Sequence, residues 1–432
     1  MLDRMHVSFA FLPGAKGPSY RRLLRNPALT LLWASQLVSQ SGDYVFDVAL
    51  VWFVAESSRT SALAPLYIAT VSAAAFLPWI VLSPIIGTLV DEGNRRTALL
   101  VSNLLQAAVA VALTFLVLTA TFQLLPILAL VVLLNSGGVA VGVTTRAMLA
   151  HMVAREDLAA ANGLFFFANS ANQLLGFSLG GVVVALAGSA LPIEYDALTF
   201  VVAAALVISI PRLSGAVLPL SDQQPKAQGL GRFWSDLRTG AQYVHAHRTL
   251  ARMLWMVTFA TFVLNGYTVL SVLYVYDVLG LHSSGFYGAF LAAMAAGGTL
   301  GSLLMGRINL RPYVGRSLFL GTGSLGAVTA MLGISHSIYL GLVLAFLLNA
   351  SGALVTVATS SWIEAQVPEA LQARVWGYTG LTRVGAPVGA AIVGGLAVSY
   401  AVPAIMLGVG LGVLLLVGVL HMLFRDLRSA SY

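Results

Sequence analysis

The chain reads Pro211-Arg-Leu-Ser-Gly-Ala-Val-Leu-Pro-Leu-Ser-Asp-Gln-Gln-Pro-Lys226 at its centre, where its only long polar stretch, 211–250, begins. In the second half of this stretch Phe233, Leu237, Ala241 and Val244 recur at helical spacing. This spacing predicts an amphipathic helix on the inner membrane surface. On both sides of the stretch the sequence is strongly apolar, so the polar segment divides the chain into two apolar halves.

The composition excludes an ordinary soluble protein. Hydrophobic residues make up 58% of the 432 residues and charged residues 9%, and the mean hydropathy is +0.88. Soluble domains carry about 25% charged residues, so a soluble enzyme or a nucleic-acid-binding protein is excluded. The chain contains no Cys, which excludes disulfides and Cys-ligated metals. It also contains no phosphate-binding Gly-x-x-x-x-Gly-Lys-Ser/Thr and no His-Glu-x-x-His motif, so we expect no enzyme, no cofactor and no metal site.

The apolar segments are long enough to cross a bilayer repeatedly, since about 20 residues span its ~30 Å hydrocarbon core. We therefore predict an all-α polytopic membrane protein with twelve transmembrane helices in two six-helix bundles. The predicted spans are 28–55, 62–89, 97–119, 124–144, 159–187, 192–210, 251–278, 284–306, 316–335, 337–361, 374–397 and 400–424.

The distribution of Lys and Arg predicts the orientation. Of the 23 basic residues only Arg59 falls in a loop on the assigned outer face, and Arg383 lies within a span. Because cytoplasmic loops collect Lys and Arg, both termini are expected in the cytoplasm of a protein of the cell membrane, and the net charge of +7 needs no nucleic-acid partner. The predicted parts are an N-terminal cytoplasmic tail 1–27, a bundle 28–210, a cytoplasmic linker 211–250, a second bundle 251–424 and a cytoplasmic tail 425–432.

The two halves resemble each other in sequence. Val153, Gly163, Gly180 and Gly181 recur as Val367, Gly377, Gly394 and Gly395, each pair separated by 214 residues. Gly-rich helices can match by chance, but a shared offset close to half the chain favours a duplication. Two parallel six-helix repeats are the architecture of major facilitator transporters.

The loop between the second and third spans reads Gly87-Thr-Leu-Val-Asp91-Glu92-Gly93-Asn94-Arg95-Arg96. It resembles the major facilitator signature at this place, a Gly-x-Leu-x-Asp segment followed by a basic pair, although Glu92 and Asn94 depart from the usual residues. The resemblance implies a gating loop of Gly87, Asp91, Arg95 and Arg96, in which Asp91 pairs with a base and holds the outward-facing state together. The alternative is a solvated loop whose charges only set the topology.

Further segments resemble one branch of that superfamily, the proton-driven exporters that include macrolide-efflux and enterobactin-exporter-type proteins. The segments are Asn26-Pro27, Ser41-Gly42-Asp43, Ala161-Asn162, Asp196-Ala-Leu-Thr-Phe200 and Asp236-Leu-Arg238-Thr-Gly240. The resemblance implies efflux of a small organic molecule by alternating access, and it does not identify that molecule. Phe177 stands where the antiporter signature usually has Pro, which weakens the inference of antiport.

Polar side chains inside the spans are the candidates for the mechanism, because an intramembrane charge costs about 2.5–3.5 kcal/mol on insertion scales. Gln36, Gln40, Asp43 and Asp47 in the first span lie within about 60° of one another on a helical wheel, so this stripe is expected to face a cavity. Two carboxyl groups one turn apart disfavour joint ionisation, which makes Asp43 and Asp47 the candidates for proton coupling. The alternative for Asp43 is a structural hydrogen bond to a neighbouring helix.

Other intramembrane residues complete the predicted substrate cavity. Arg383 either pairs with an acid such as Asp43 or binds an anionic substrate group. Asn169 and Gln173 either contact substrate or join helices through hydrogen bonds. Aromatic walls with few polar groups suit an amphipathic ligand, although ordinary packing is the alternative for each residue. The full predicted lining is Trp33, Gln36, Gln40, Asn135, Asn169, Gln173, Asn265, Tyr267, Tyr274 and Arg383, whereas Asp196 is expected to stabilise the start of the sixth span.

We therefore predict a secondary transporter that exports a small amphipathic molecule, such as a drug, a siderophore or a related metabolite, in exchange for protons. Its expected partners are that substrate, protons and the lipid bilayer, with no nucleic acid, and it is expected to be a monomer. One alternative is an uptake or lipid-translocating transporter of the same fold. Another, from a different class, is a transport-inactive membrane receptor or scaffold.

Overall fold

The fold was analysed in a computed structural model of the 432-residue chain. The structure describes residues 23–83, 85–86, 94–119, 122–154, 157–211, 229–306, 308 and 311–424. Every regular element within these ranges is a helix, as expected for a chain whose backbone groups must bond internally in lipid.

The helices are numbered in chain order. They are α1 Pro27–Ser58, α2 Ala64–Val81, α3 Arg95–Leu118, α4 Leu124–Met152, α5 Leu158–Ala187, α6 Ala190–Ser209, α7 Gly229–Ala246, α8 Arg248–Leu273, α9 Ser284–Met305, α10 Val314–Ile334, α11 Ile338–Gln366, α12 Glu369–Thr379, α13 Gly385–Ala397 and α14 Val402–Leu423. A π-helical turn, Tyr274–Val278, extends α8, and a 3₁₀ segment, Gly380–Val384, joins α12 to α13.

The described residues contain eleven helices that are long and apolar enough to cross a membrane, which makes the chain a multi-pass membrane protein. The predicted count of twelve would require α1 as well. This helix is 32 residues long, but it is not among the eleven, and it carries the polar stripe that contains Asp43 and Asp47. The all-helical membrane fold is thus confirmed, whereas the exact number of spans remains a prediction.

Asparagine side chains fix the beginnings of two helices in the first half. Asn26 Oδ1 accepts hydrogen bonds from the amides of Ala28 and Leu29, at 3.1 and 3.4 Å, and Pro27 occupies the first helical position, where its missing N–H is harmless. Asn94 Oδ1 accepts from the amides of Arg96 and Thr97 at the start of α3, at 3.0 and 3.3 Å. Both are N-caps, which satisfy otherwise unpaired amides.

The helices pack in two groups joined by two helix pairs. In the first half α6 packs on α1 and α3, and in the second half α11 packs on α9 and α10. The contacts between the halves are made mainly by α5 with α9 and by α2 with α13. We call the end of the bundle that holds the α1–α2 turn the predicted extracellular end, and the opposite end the predicted cytoplasmic end.

Both joining pairs meet closest near the predicted extracellular end, through small residues. Gly181 of α5 lies against Gly288 of α9, where a Cβ on Gly181 would be 2.8 Å from the Gly288 Cα. Ser284 Oγ donates to the Gly181 carbonyl at 3.0 Å. Gly394 of α13 lies against Ala69 of α2. Gly180 and Gly394, which recur at the 214-residue offset, lie in α5 and α13. These two helices therefore correspond to each other in the two halves, and each packs on a helix of the other half.

The amphipathic helix predicted in the linker is present as α7 and packs on α12. Asp236 Oδ1 lies 2.9 Å from Arg374 Nε. Gly240 allows the two backbones to approach, since a Cβ there would collide with the Arg374 carbonyl. Val244 is 2% exposed, in a cluster with Leu250 and Val375. The linker helix is therefore attached to the predicted cytoplasmic end of the second half.

Candidate functional site

The polar stripe of α1 changes from buried to exposed along the helix. Gln36 is 5% exposed, Asp43 is half-buried and Asp47 is exposed. Asp47 is near enough to the Tyr287 hydroxyl of α9 to interact with it electrostatically. The Asp47 side chain is therefore near α9, which belongs to the second half.

A third carboxyl group, that of Asp196, lies beside the stripe. Asp196 is 0% exposed and packs against Gly42, where a Cβ would overlap both Asp196 Oδ1 and Thr199 Oγ1. Thr199 Oγ1 lies 3.5 Å from Asp196 Oδ1, and Asp196 Oδ2 has no hydrogen-bond partner. The carboxyl groups of Asp43, Asp47 and Asp196 interact electrostatically with one another. We call these three groups the carboxyl cluster.

The predicted role of Asp196 at a helix start is wrong. Helix α6 begins at Ala190, so Asp196 lies in its second turn, beyond the reach of the unpaired amides at the helix terminus. The small neighbour Gly42, quoted in the sequence motif next to Asp43, is the signal that could have revealed the contact. Gly at that position allows α6 to approach α1 closely.

The carboxyl cluster has no cationic partner among the described residues: neither ion pair found there includes any of its three members. Helix α6 packs mainly on α1 and α3, and the basic residues of α3, Arg95 and Arg96, lie at its first two positions. An unpaired carboxylate within the membrane is costly, whereas a protonated carboxyl carries no charge. Bound protons would remove this cost.

The amide groups of α1 and α5 bond to each other across the two helices. Asn169 Nδ2 donates to Gln40 Oε1 at 3.2 Å and to the Tyr44 hydroxyl at 2.9 Å. Trp33 Nε1 donates to the Leu164 carbonyl at 3.3 Å. For these residues the structure favours the helix-joining alternative over direct substrate contact.

Other predicted cavity residues show a mixed outcome. Asn135 and Asn265 each donate to a carbonyl one turn earlier in their own helix, at 3.0 and 2.9 Å, and both are half-buried, as is Gln173. Gln36 Nε2 is buried without a partner. These four residues are compatible with a cavity, but no ligand contact tests that role.

Tyr267 and Tyr274 do not line a cavity in this structure, so that prediction is wrong here. They are 1% and 0% exposed and belong to the hydrophobic core. Both rings pack near Phe290 of α9, at 6.0 and 5.9 Å between centroids, and the Tyr274 hydroxyl donates to the Ser335 carbonyl at 3.0 Å. An aromatic residue in an amphipathic sequence does not by itself indicate which face of the helix it occupies.

Arg383 lies in the 3₁₀ segment that interrupts the eleventh predicted span. Its Cζ atom is 5.6 Å from the centroid of the Trp79 ring on α2, and the residue is exposed. Neither described ion pair includes Arg383 or Asp43, so of the two alternatives for Arg383 the pairing with Asp43 does not hold in this structure. Mid-helix changes of pitch such as this 3₁₀ segment often mark hinges.

Only half of the predicted gating loop can be placed, since Gly87 and Asp91 lie outside the described residues. Arg95 Nη1 contacts His151 Nδ1 at 2.9 Å. Arg96 Nε donates to the Val207 carbonyl at 3.2 Å, and its Nη2 donates to the Ile208 carbonyl. The two arginines thus join the start of α3 to the ends of α4 and α6, where unpaired carbonyls need donors. The latch itself remains a prediction.

Aromatic side chains close the predicted extracellular end above Asp47. Trp52 of α1 lies 5.7 Å from Tyr276 and 6.2 Å from Tyr287 between ring centroids, and Arg59 Nη1 donates to the Tyr276 hydroxyl at 3.4 Å. A recess of about 380 Å³ beyond this layer is lined by Arg59, Tyr276 and Asp277. This layer and the glycine contacts both lie toward the predicted extracellular end of the bundle, beyond Asp47.

Two helix groups joined through α5–α9 and α2–α13 have the arrangement of a major facilitator fold. Comparison with known proteins gives the family. Residues 21–431 match the profile of the transmembrane secretion effectors, and the chain belongs to this family of major facilitator transporters.

A curated relative and solved structures agree with this assignment. The chain is 27% identical to the multidrug efflux pump Tap of Mycolicibacterium fortuitum over 419 residues, which is 94% of this chain and 97% of Tap. A crystal structure of a point mutant of the nucleoside transporter NupG superposes with a TM-score of 0.71 at 11% identity, over 92% of this chain and 99% of that one. A bacterial homologue of the human lysosomal transporter Spinster, inward-facing and unoccupied, superposes with a TM-score of 0.68 at 12% identity, over 93% of this chain and 98% of that one.

Proposed function

We propose that the protein exports small amphipathic organic molecules from the cell in exchange for protons. Asp43, Asp47 and Asp196 carry the protons. The observation that supports this role most directly is a cluster of three intramembrane carboxyl groups with no cationic partner among the described residues. The likeness to a multidrug efflux pump over 94% of the chain supports export of an organic molecule.

The mechanism follows from the position of the cluster. When the passage opens toward the predicted extracellular end, water reaches Asp47 first, and protons enter the cluster from that side. A protonated cluster is neutral and is tolerated when the passage closes around it. When the passage opens to the cytoplasm, a proton leaves, and the resulting charge favours water and an open cavity over closure. Substrate and protons therefore occupy the passage in alternation.

The orientation of the protein is part of the proposal. The excess of Lys and Arg in the predicted inner loops supports a cytoplasmic position of that end and of both termini. Reporter fusions at each terminus test this placement, because a reporter that is active only outside the cytoplasm would remain silent at both.

Reconstitution tests the function. Purified protein in liposomes is given a panel of fluorescent amphipathic dyes, with and without an imposed pH gradient, in vesicles sorted by protein orientation. We expect dye movement against the proton gradient, and loss of that movement when nigericin collapses the gradient. A rate of dye transport that does not depend on the pH gradient would contradict proton coupling. Dye flux only from the extracellular to the cytoplasmic side of the protein would support an uptake transporter instead.

A further inference from the structure

Trp79 of α2 contacts two elements that carry arginines, one in each half of the protein. Arg383, in the second half, has its Cζ atom 5.6 Å from the centroid of the Trp79 ring. On α4, in the first half, Gly142 makes room for the same ring, since a Cβ there would be 3.1 Å from Trp79 Cη2. Arg146 follows Gly142 by one helical turn and therefore lies on the same face of α4.

Within the part of the chain that the structure describes, neither of the two guanidinium groups has an acidic partner. Arg146 and Arg383 are both exposed, neither belongs to an ion pair among the described residues, and they are near enough to repel each other. Because a guanidinium is poorly tolerated against lipid, the exposed surface of both side chains must face water. Two like charges therefore lie close together beside an aromatic ring. A negative group bound between them would cancel their repulsion.

We infer that Arg146, Arg383 and Trp79 form a binding site for the anionic group of an aromatic substrate, in particular an aromatic carboxylate. Guanidinium groups bind carboxylates through paired hydrogen bonds, and the indole ring packs against an aromatic body. This inference rests on the proposed transport function and names the substrate class for it.

The site also links substrate binding to the movement of the protein. Arg146 belongs to the first half and Arg383 to the second, so in the empty protein their repulsion favours separation of the halves at the predicted cytoplasmic end. A bound carboxylate cancels this repulsion and contacts both arginines. Binding of an anionic substrate from the cytoplasm therefore favours closure around it.

Calorimetric binding to the purified full-length protein tests the site without any gradient. The probes are 2-naphthoate and its neutral analogue 2-naphthamide, which differ mainly in charge. We expect the naphthoate to bind about tenfold more tightly, as charge-assisted hydrogen bonds allow. Arg146→Gln and Arg383→Gln should each bring the ratio of the two affinities close to one, and Arg383→Lys should keep part of the preference.

Arg316→Gln is the matched control, because Arg316 also lies over an aromatic ring, with its Cζ atom 5.8 Å from the centroid of Tyr313. It should keep the full preference. Equal affinities for the two probes in the unchanged protein, or a preference that survives both Arg→Gln changes, would overturn the inference. If one arginine variant fails to fold, the other decides in the same way. Trp79→Leu should weaken the binding of both probes and keep their affinity ratio, because the indole ring contacts the aromatic body that the two probes share.

A phospholipid headgroup is the other source of a negative group for this site. The titrations are therefore repeated in nanodiscs of phosphatidylcholine alone and of phosphatidylcholine with phosphatidylglycerol. Competition by phosphatidylglycerol would show a lipid site and overturn the substrate assignment, whereas unchanged affinity for naphthoate supports it. None of these titrations requires transport, so they can succeed even if the liposome assay shows no proton coupling. Equally, a lost preference for naphthoate would not contradict proton coupling in the liposome assay.

Discussion

Asp196 of α6 lies against Gly42 of α1, the residue before Asp43, with no room for a methyl group between them. The contact brings a carboxyl group that is 0% exposed next to the half-buried Asp43. Helix packing and the proposed proton coupling thus depend on the same few atoms in this protein. The two roles can be separated by substitutions that change either the volume or the charge.

Asp196→Asn changes the charge and keeps the volume. We expect it to abolish transport driven by a pH gradient, as should Asp43→Asn, because neither amide can bind and release a proton. Exchange of labelled for unlabelled substrate across vesicles without a gradient should continue in both variants. Measured between pH 5 and 9, this exchange should also lose its dependence on pH.

Glu56→Gln is the control for these variants, since Glu56 forms an exposed ion pair with Arg59, at 3.2 Å between Oε1 and Nη1, away from the cluster. It should transport normally. Gradient-driven transport that persists in Asp196→Asn would show that its carboxyl group serves packing alone.

Gly42→Ala changes the volume and keeps the charges. The added Cβ would overlap Thr199 Oγ1 and Asp196 Oδ1, so α6 must move away from α1. Overpacking of this kind costs about 1–3 kcal/mol, and thermal unfolding of the purified protein should show a lower midpoint. Gly408→Ala, whose Cβ would meet nothing within 4 Å, should leave the midpoint unchanged or raise it. Equal midpoints for the two variants would contradict the close contact.

Gly181→Leu should open the predicted extracellular end. Its side chain would collide with the backbone of Ser284 and Gly288 in the other half, which disfavours the closed arrangement. The natural chain contains no Cys, so Val51→Cys, one turn beyond Asp47 toward that end, provides a single reporter. Labelling of this thiol by an impermeant maleimide from outside should become faster.

Gly395→Leu is the control for this change. Gly395 is the counterpart of Gly181 at the 214-residue offset, yet a Cβ there would meet nothing within 4 Å. Thiol labelling in this variant should match that of the parent with Val51→Cys alone. If both leucine variants accelerate labelling equally, the effect does not arise from the contact between α5 and α9.

Gly240→Ala should weaken the attachment of α7 to α12 more than Arg374→Gln does. The first change forces a Cβ into the Arg374 carbonyl. The second removes an ion pair whose side chains are 40% and 36% exposed, and such pairs contribute about 0–1 kcal/mol. Limited proteolysis in the linker should therefore accelerate clearly for Gly240→Ala and little for Arg374→Gln. Gly377→Ala, with open space around it, is the control, and the opposite order would show that the ion pair dominates.

The helices could be predicted well from the sequence because their signals are local. Apolar length placed most boundaries within a few residues, and Asn26-Pro27 marked the start of α1. The linker helix followed from its spacing of apolar residues. In the second span, predicted as 62–89, α2 runs to Val81 and residues 83, 85 and 86 beyond it are also helical, whereas 87–89 lie outside the described residues. The 3₁₀ segment Gly380–Val384 had no signal in the apolar pattern.

The site was harder to predict because it depends on which helix faces which. The stripe containing Asp43 and Asp47 was recognisable from one helix alone. The contact of Asp196 with Gly42 joins residues far apart in the chain, and no periodicity within α6 reveals it. Tyr267 and Tyr274 were misplaced for the same reason, since only the position of Phe290 shows that they face the core.

The contacts between Gly181 and Gly288 and between Gly394 and Ala69 consist of uncharged atoms in close van der Waals contact. Raising the ionic strength from 0.01 to 1 M shortens the Debye length from about 30 to 3 Å, which weakens exposed charge pairs such as Arg59 with Glu56 and leaves these contacts unaffected. The contact between the two halves at the predicted extracellular end is therefore expected to be equally stable in dilute and in concentrated salt.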